Sequence, residues 1–364
     1  MYHLRLARLF FATWLASFRP RRHGERKILF LSSGKLGDLV CKTSVVGAIG
    51  RQLKTSVDVV TNRFGPELYA GNPNIGNIWV FNDTTPGKLA AAGYTHAVIL
   101  NPNPALVALA VRAGIPYRIG ITTPREQFWT RLFERFLQER HVYYYDRQVL
   151  EFYQTMLESL GVKPEPERRE LFPSAADRQR AEQFWQEHGL VSQFIVGMCL
   201  GAGKPYKLWP MERFAAVADY VVKKYGAKII LVGGTQDLAY SHELARLVKY
   251  KDAIVDATGK FKLLEQAALL EPCQLFVSVD TGPLYIADTM GVPIVDIAGP
   301  ADCVSQHPIG RYIILHPADK EQYGDMAVSF HSGSENEERY KQMTEAITVG
   351  QVTDAINELI RKNS

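Results

Sequence analysis

Two series of short apolar runs, each alternating with helical segments, restrict this chain of 364 residues to few folds. The first series is KILFLSS (27–33), SVDVVT (56–61), NIWVF (77–81), THAVILN (95–101) and PYRIGI (116–121), with helical spacing over 38–53 and 104–114. The second is FIVGMCL (194–200), AKIILVGG (227–234), AIVDATG (253–259), CQLFVSV (273–279) and VPIVDIAG (292–299), with helices over 211–226, 236–249, 262–272 and 282–291. Apolar runs of this length between helices make parallel strands, buried on both faces and joined by right-handed crossovers. The charged, proline-rich stretch GVKPEPERRELFP (161–173) separates the series and reads as a linker. The expectation is an α/β protein with two parallel-sheet domains, whose strand ends face a central cleft where ligands of open α/β sheets bind. The expected division is an N-terminal helix over 1–26, a first domain over 27–172, a second over 173–347 and a closing helix over 348–364.

Charge is unevenly placed. The first 27 residues hold seven Lys or Arg and one acid, a local +6 within a total of +4, so the remainder stands at −2. A basic character confined to one end speaks against general nucleic-acid binding. The four cysteines (Cys41, Cys199, Cys273, Cys303) are far apart and form no C-x-x-C pair. They read as buried, reduced thiols of a cytosolic protein.

The opening stretch MYHLRLARLFFATWLASFRPRR has an uncharged run of ten residues, Leu9 to Phe18. That is half of what a bilayer crossing takes, and no small-x-small cleavage site follows it. Leu4, Phe11, Trp14, Leu15 and Phe18 share one helical face, edged by Arg5 and Arg8 and followed by the basic cluster from Arg19 to Lys27. Two readings fit: a helix lying in a membrane surface with cations on anionic head groups, or a helix packed on the protein itself.

Three stretches carry polar chemistry at strand ends. SSGKLGDLV (32–40) is neither a P-loop nor a dinucleotide fingerprint, since the spacing of Gly34, Lys35 and Gly37 fits neither. It sets a carboxylate, Asp38, at a strand-to-helix turn, a place that favours anions. In LGAGKPYKLWP (200–210), Gly201 and Gly203 let the backbone approach a ligand, and Lys204 and Lys207 suit a pyrophosphate; a surface turn with incidental lysines is the alternative. In VSVDTGPLYIADTMGVPIVDIAGP (277–300), the N–H groups of Thr281, Gly282 and Leu284 open a helix and suit phosphate. Asp280 either caps that helix or binds a sugar hydroxyl.

Together GKLGDLV, the K-x-W-P of Lys207 to Pro210 and the D-T-G stretch resemble glycosyltransferase family 9, the ADP-heptose:lipopolysaccharide heptosyltransferases, in family order from about Lys27 to the C-terminus. The resemblance implies a GT-B fold: two Rossmann-like domains, acceptor on the first and nucleotide-sugar on the second. It implies inverting transfer of a heptose from ADP-heptose to the lipopolysaccharide inner core, at the cytoplasmic face of the inner membrane. Asp38 matches the family's catalytic base, which takes the acceptor hydroxyl's proton, with Lys35 beside it on the acceptor side. Lys207 matches the phosphate contact, Asp280 the residue that binds heptose hydroxyls, and Thr281 and Gly282 the diphosphate turn. GGTQD (233–237, with Gly234 and Thr235) and ATGK (257–260, with Thr258 and Gly259) match loops near the nucleotide.

No Asp-x-Asp occurs in the chain, so the expectation is no metal and no cofactor, with departing charge met by Lys207, backbone N–H groups and helix dipoles. The chain departs from the family in three places, one being that KQMTEAIT (341–348, with Gln342) stands where the family has a Cys-Met pair before the last helix. Tyr285 stands where the family has His in D-T-G-x-x-H, which puts one phosphate contact in doubt, and EQYGDMAVSFHSGSENEERYKQ (321–342) fits poorly. A divergent member with another donor or acceptor, or a non-catalytic binder of nucleotide-sugar, is the alternative. From Arg112 to Arg147 the basic residues are seven Arg and no Lys, interleaved with aromatics. Arginine pairs with phosphate in two-point contacts, so Arg118, Arg125 and Arg131 are the expected acceptor contacts, with a solvated helix face as the alternative.

Overall fold

The computed structural model describes residues 2–18, 24–124, 127–166, 168–317 and 336–362. The chain divides into two compact units, Met1–Glu170 and Leu171–Ser364.

In the first unit the apolar runs form six parallel strands: β1 (Ile28–Leu31), β2 (Val57–Thr61), β3 (Ile75–Val80), β4 (His96–Ile99), β5 (Tyr117–Thr122) and β6 (Glu139–Val142). Their order is β3-β2-β1-β4-β5-β6. Central β1 is buried throughout and pairs on both sides, Phe30 lying opposite Val59 and Val98. Strand β6 lies in the arginine-rich stretch, where the sequence reading placed no strand. It is an edge strand whose residues alternate in exposure, so it carries no apolar run. The helical segment expected over 38–53 is broken into Leu36–Cys41 and Thr43–Leu53, with Lys42 at the joint.

The N-terminal helix, Tyr2–Ser17, belongs to this unit. Thr13 and Ala16 are buried, and Leu9 and Phe10 pack on the cluster of β1, β4 and the helix Pro104–Arg112. The inward face is therefore not the face named in the sequence. Leu4, Phe11, Trp14, Leu15 and Phe18 all remain exposed. The first part of the linker folds back on the same unit: Lys163 exchanges two hydrogen bonds with Gln52, and Arg51 pairs with Glu165 and Glu170.

The second unit repeats the plan. Strands β7 (Ile195–Cys199), β8 (Lys228–Val232), β9 (Ile254–Asp256), β10 (Leu275–Val279), β11 (Ile294–Ile297) and β12 (Tyr312–Leu315) are parallel, in the order β12-β11-β10-β7-β8-β9. Both sheets thus have the 3-2-1-4-5-6 order of dinucleotide-binding folds, which reverses between the first and fourth strands. The helix Met211–Tyr225 lays Phe214, Val217 and Val221 on this sheet, and the last helix, Val349–Arg361, adds Val352, Ile356 and Leu359 to the same core. Trp209 is buried there, its Nε1–H donating to the Ile347 carbonyl at 2.9 Å.

Candidate active site

In the first unit the polar groups gather where the strand order reverses, after β1 and β4. Gly34 adopts φ +143°, and a Cβ there would stand 2.9 Å from the Asp38 carboxylate. Only glycine admits both. The Gly34 carbonyl accepts from Asn62 Nδ2 at 2.6 Å. Asp38 sits in the first turn of its helix, where its Oδ2 accepts the Lys35 N–H at 3.0 Å. This bond turns the carboxylate back on the helix start and fixes its direction. Lys35 is exposed beside it.

Beneath this turn lies Lys42, 1% exposed. Its Nζ donates to Asn101 Oδ1 at 3.0 Å and to the Ser33 carbonyl at 3.3 Å, while Asn101 Oδ1 also accepts the Ser33 N–H. One ammonium therefore ties the loop after β1 to the loop after β4. Burial pulls its pKa down to about 8, against the attraction of Asp38 and Cys41. The sequence reading passed over Lys42. The signal was a lone lysine inside the apolar helical run LVCKTSVV.

In the second unit Lys207 ends a short turn, Pro205–Lys207, and its Nζ pairs with Asp280 Oδ2. This pair joins the loop after β7 to the loop after β10. Tyr285 Oη donates to the other Asp280 oxygen at 2.8 Å. Burial pulls Lys207 down, but Asp280, Tyr206 and Asp296 outweigh it and hold the ammonium above its usual pKa. Asp296, in β11, is a further neighbour that the sequence reading missed. It is 1% exposed, and among the described residues neither of its oxygens has a hydrogen-bond partner. Burial, then the charge of Asp280, pushes its pKa well above the carboxylate range, with Lys207 opposing. Nothing in the apolar run VPIVDIAG marked it beyond being a carboxylate in a buried strand.

Several expected contacts have partners within their own unit. Gly201 leaves room for a carboxylate of its own unit: a Cβ there would lie 2.0 Å from Asp237 Oδ1. Asp237 accepts the Gly234 N–H at 2.8 Å and closes the loop after β8. Gly259, with φ +70°, brings the loop after β9 against Thr235, and its N–H bonds the Gly233 carbonyl. Gly203 is open, with nothing near its missing Cβ. Thr258 is buried, and its N–H binds Asp256. Tyr285, an expected donor contact, is buried, and its hydroxyl donates to Asp280. Asp280 is thus a partner of Lys207 and Tyr285, and Thr281, the N-cap of Gly282–Thr289, makes no side-chain capping bond. The Leu284 N–H is taken by the Thr281 carbonyl.

On the acceptor side, Arg118 was an expected contact. It is buried, and its guanidinium donates to the carbonyls of Ile115, Phe136 and Pro116. It ties the start of β5 to the segment that follows the helix Phe128–Glu134. Arg131 is exposed, with one bond to the Pro124 carbonyl at 2.7 Å. Arg125, the cluster of Arg19, Arg21 and Arg22, and most of 321–342 lie outside the described residues. Among the described residues, no group of His, Cys, Asp and Glu is arranged to hold a metal ion, and no helix is long and apolar enough to cross a membrane.

Two Rossmann-like units in one chain, with charged turns at the reversal point of each sheet, are the architecture of the GT-B class. Solved structures share this fold. A family 9 glycosyl transferase from Veillonella parvula aligns over 94% of this chain and 100% of its own, with 24% identity and a TM-score of 0.77. The E. coli ADP-heptose lps heptosyltransferase II aligns over 93% and 100%, with 18% identity and a TM-score of 0.72. In sequence, lipopolysaccharide heptosyltransferase 3 of Escherichia coli is 23% identical over 298 residues, 76% of this chain and 85% of the relative. The profile of glycosyltransferase family 9 (heptosyltransferase) matches residues 85–326, and the chain belongs to that family. The matched residues include Lys207, Asp280 and Tyr285 and do not reach Asp38.

Proposed function

We propose that the chain moves a heptose from ADP-heptose to the inner core of a lipopolysaccharide precursor, with inversion at the anomeric carbon and without a metal clamp. The observation that carries this reading is the Lys207–Asp280 pair at the reversal point of the second sheet, steadied by Tyr285. A diphosphate arriving there meets an ammonium whose charge is already held, and Asp280 is oriented to accept sugar hydroxyls. The name of the E. coli relative supports ADP-heptose as the donor.

In this reaction Asp38 takes the proton of the acceptor hydroxyl. The acceptor oxygen then bonds the anomeric carbon from the face opposite the nucleotide, and the bond from that carbon to the β-phosphate oxygen breaks. ADP leaves with its charge met by Lys207 and the amides of Thr281 and Gly282. The loops of Gly201, Gly203, Gly234, Thr235, Thr258 and Gly259 shape the nucleotide side, while Lys35, Arg125 and Arg131 attract the phosphorylated acceptor. The enzyme works on the cytoplasmic face of the inner membrane, where such acceptors are anchored.

The test is transfer from ADP-heptose, GDP-sugars and UDP-sugars to a de-acylated core acceptor, with and without chelator. The expected product carries an inverted linkage, forms from ADP-heptose alone, and forms equally with chelator. Turnover from another nucleotide-sugar only, or loss of turnover on chelation, contradicts the reading.

A further inference from the structure

The N-terminal helix is apolar on two opposite faces, and only one of them is used by the fold. Leu9, Phe10, Thr13 and Ala16 turn inward, with the Phe10 ring centroid 5.5 Å from those of Phe133 and Phe136. Leu4, Phe11, Trp14, Leu15 and Phe18 turn outward, Phe11 at 60% and Phe18 at 69% exposure. A helix that merely covers a core needs a single apolar stripe.

A second helix continues the outward surface. Phe128 opens the helix Phe128–Glu134 at 71% exposure, and the neighbouring Trp129 donates its Nε1–H to His3 Nδ1 at 2.9 Å. Where the two helices meet, a dent of about 460 Å³ is lined by Phe10, Phe11, Trp14, Arg135 and Phe136. Arg135 in its wall is exposed, Arg5 and Arg8 are exposed on the helix that carries Phe11 and Trp14, and that helix, Tyr2–Ser17, contains no acid.

We propose that this face of the first unit docks on an anionic phospholipid surface. The N-terminal helix lies in the plane of the head groups; Phe11, Trp14, Leu15, Phe18 and Phe128 enter the interface; Arg5, Arg8 and Arg135 meet the phosphates. The helix, about 24 Å long at its rise per residue, is too short to cross and long enough to lie flat. Charge complementarity selects the occupant. A second copy of this chain, paired through the same face, would set the cations of one copy against those of the other. An anionic leaflet matches both the aromatic centre and its cationic border. The proposal rests on the membrane-surface reading given above and adds the residues, the second helix and the orientation.

The test is co-sedimentation of the full-length protein with vesicles of phosphatidylcholine alone and with about 30% phosphatidylglycerol. The wild type is expected to pellet with the anionic vesicles and to be released at high salt. The variant F11S/W14S/F128S is expected to lose binding about tenfold or more, R5E/R8E/R135E to lose it at low salt, and F128S alone to lose it severalfold. All of these residues are exposed, so unchanged circular-dichroism melts are expected for the three variants. If the wild type binds and the variants bind equally, the docking face is refuted and the membrane-surface reading stands. If the wild type ignores anionic vesicles, both fall. A wild-type dimer in sedimentation velocity that F11S/W14S/F128S dissolves makes a second copy the occupant and refutes the proposal. ADP affinity, read on the same samples, keeps the transferase reading separate from all three results.

Discussion

Replacing Lys42 by methionine separates the stability of the first unit from its work. At pH 7 the buried ammonium is charged in both the folded and unfolded chain. Its folded pKa is about 8 against an ordinary 10.5, and at 1.36 kcal/mol per unit its charge costs folding about 3 kcal/mol. Two hydrogen bonds, to Asn101 and the Ser33 carbonyl, recover about 1 kcal/mol each. Lys42→Met is therefore expected to be neutral or slightly stabilising at pH 7, by about 1 kcal/mol.

The pH dependence is the sharper readout. As pH rises above 8 the folded lysine gives up its proton while the unfolded one keeps it until about 10.5, so the charge cost shrinks and the wild type gains relative to Lys42→Met. Between pH 7 and pH 9 the gain is about 1 kcal/mol. Groups that do not interact with Lys42 titrate alike in both proteins and cancel in the difference. Urea denaturation of the two proteins at both pH values measures it. A gap that does not move between pH 7 and pH 9 would refute the buried charge. The variant should also lose transfer activity, because the loops after β1 and β4 lose their tie, while ADP affinity stays unchanged.

Three further outcomes follow from the second unit. Lys207→Ala removes the cation from two neighbouring carboxylates, so calorimetry should show ADP weakened roughly 10- to 100-fold and adenosine hardly at all; equal losses would detach Lys207 from the phosphates. Tyr285→Phe keeps the ring and removes one bond to Asp280, worth about 1 kcal/mol, so kcat/KM should fall about fivefold with ADP affinity nearly intact; a large loss of ADP affinity would restore Tyr285 as a direct donor contact. Gly201→Ala drives a Cβ into Asp237, whose carboxylate is pinned by the Gly234 amide, and should lower stability by about 1–3 kcal/mol by thermal melt; an unchanged melting temperature would show that the loop yields freely.

Much of this architecture was legible because a parallel strand buried on both faces must be apolar from end to end. KILFL, KIILV and LFVSV announce themselves for that reason. ERHV, which became β6, is an edge strand with polar alternation and was invisible inside an arginine-rich stretch. The N-terminal helix was legible on one face only. Its outward face carries the large aromatics and so dominated the periodicity, whereas the face that packs uses Leu9, Phe10, Thr13 and Ala16. At the site, Asp38, Lys207 and Asp280 stood out because they sit at strand ends, where polar residues have no packing duty. Lys42, Asp237 and Asp296 did not, because their meaning comes from neighbours distant in sequence. Arg118 shows the converse: an arginine in a promising stretch, consumed by the carbonyls of its own unit.

The assignment of Asp38 as the base is tested most directly by Asp38→Asn, with heptosyl transfer and ADP binding measured on the same sample. Asparagine keeps the size of the side chain and an oxygen for the Lys35 N–H, and removes the ability to take a proton. Transfer should fall by about 10²–10⁴-fold, while the ADP dissociation constant stays at the wild-type value, since the donor residues belong to the other unit. Turnover within a few-fold of wild type would remove Asp38 from the chemistry, and a parallel loss of ADP affinity would show that the substitution acts on the donor site instead.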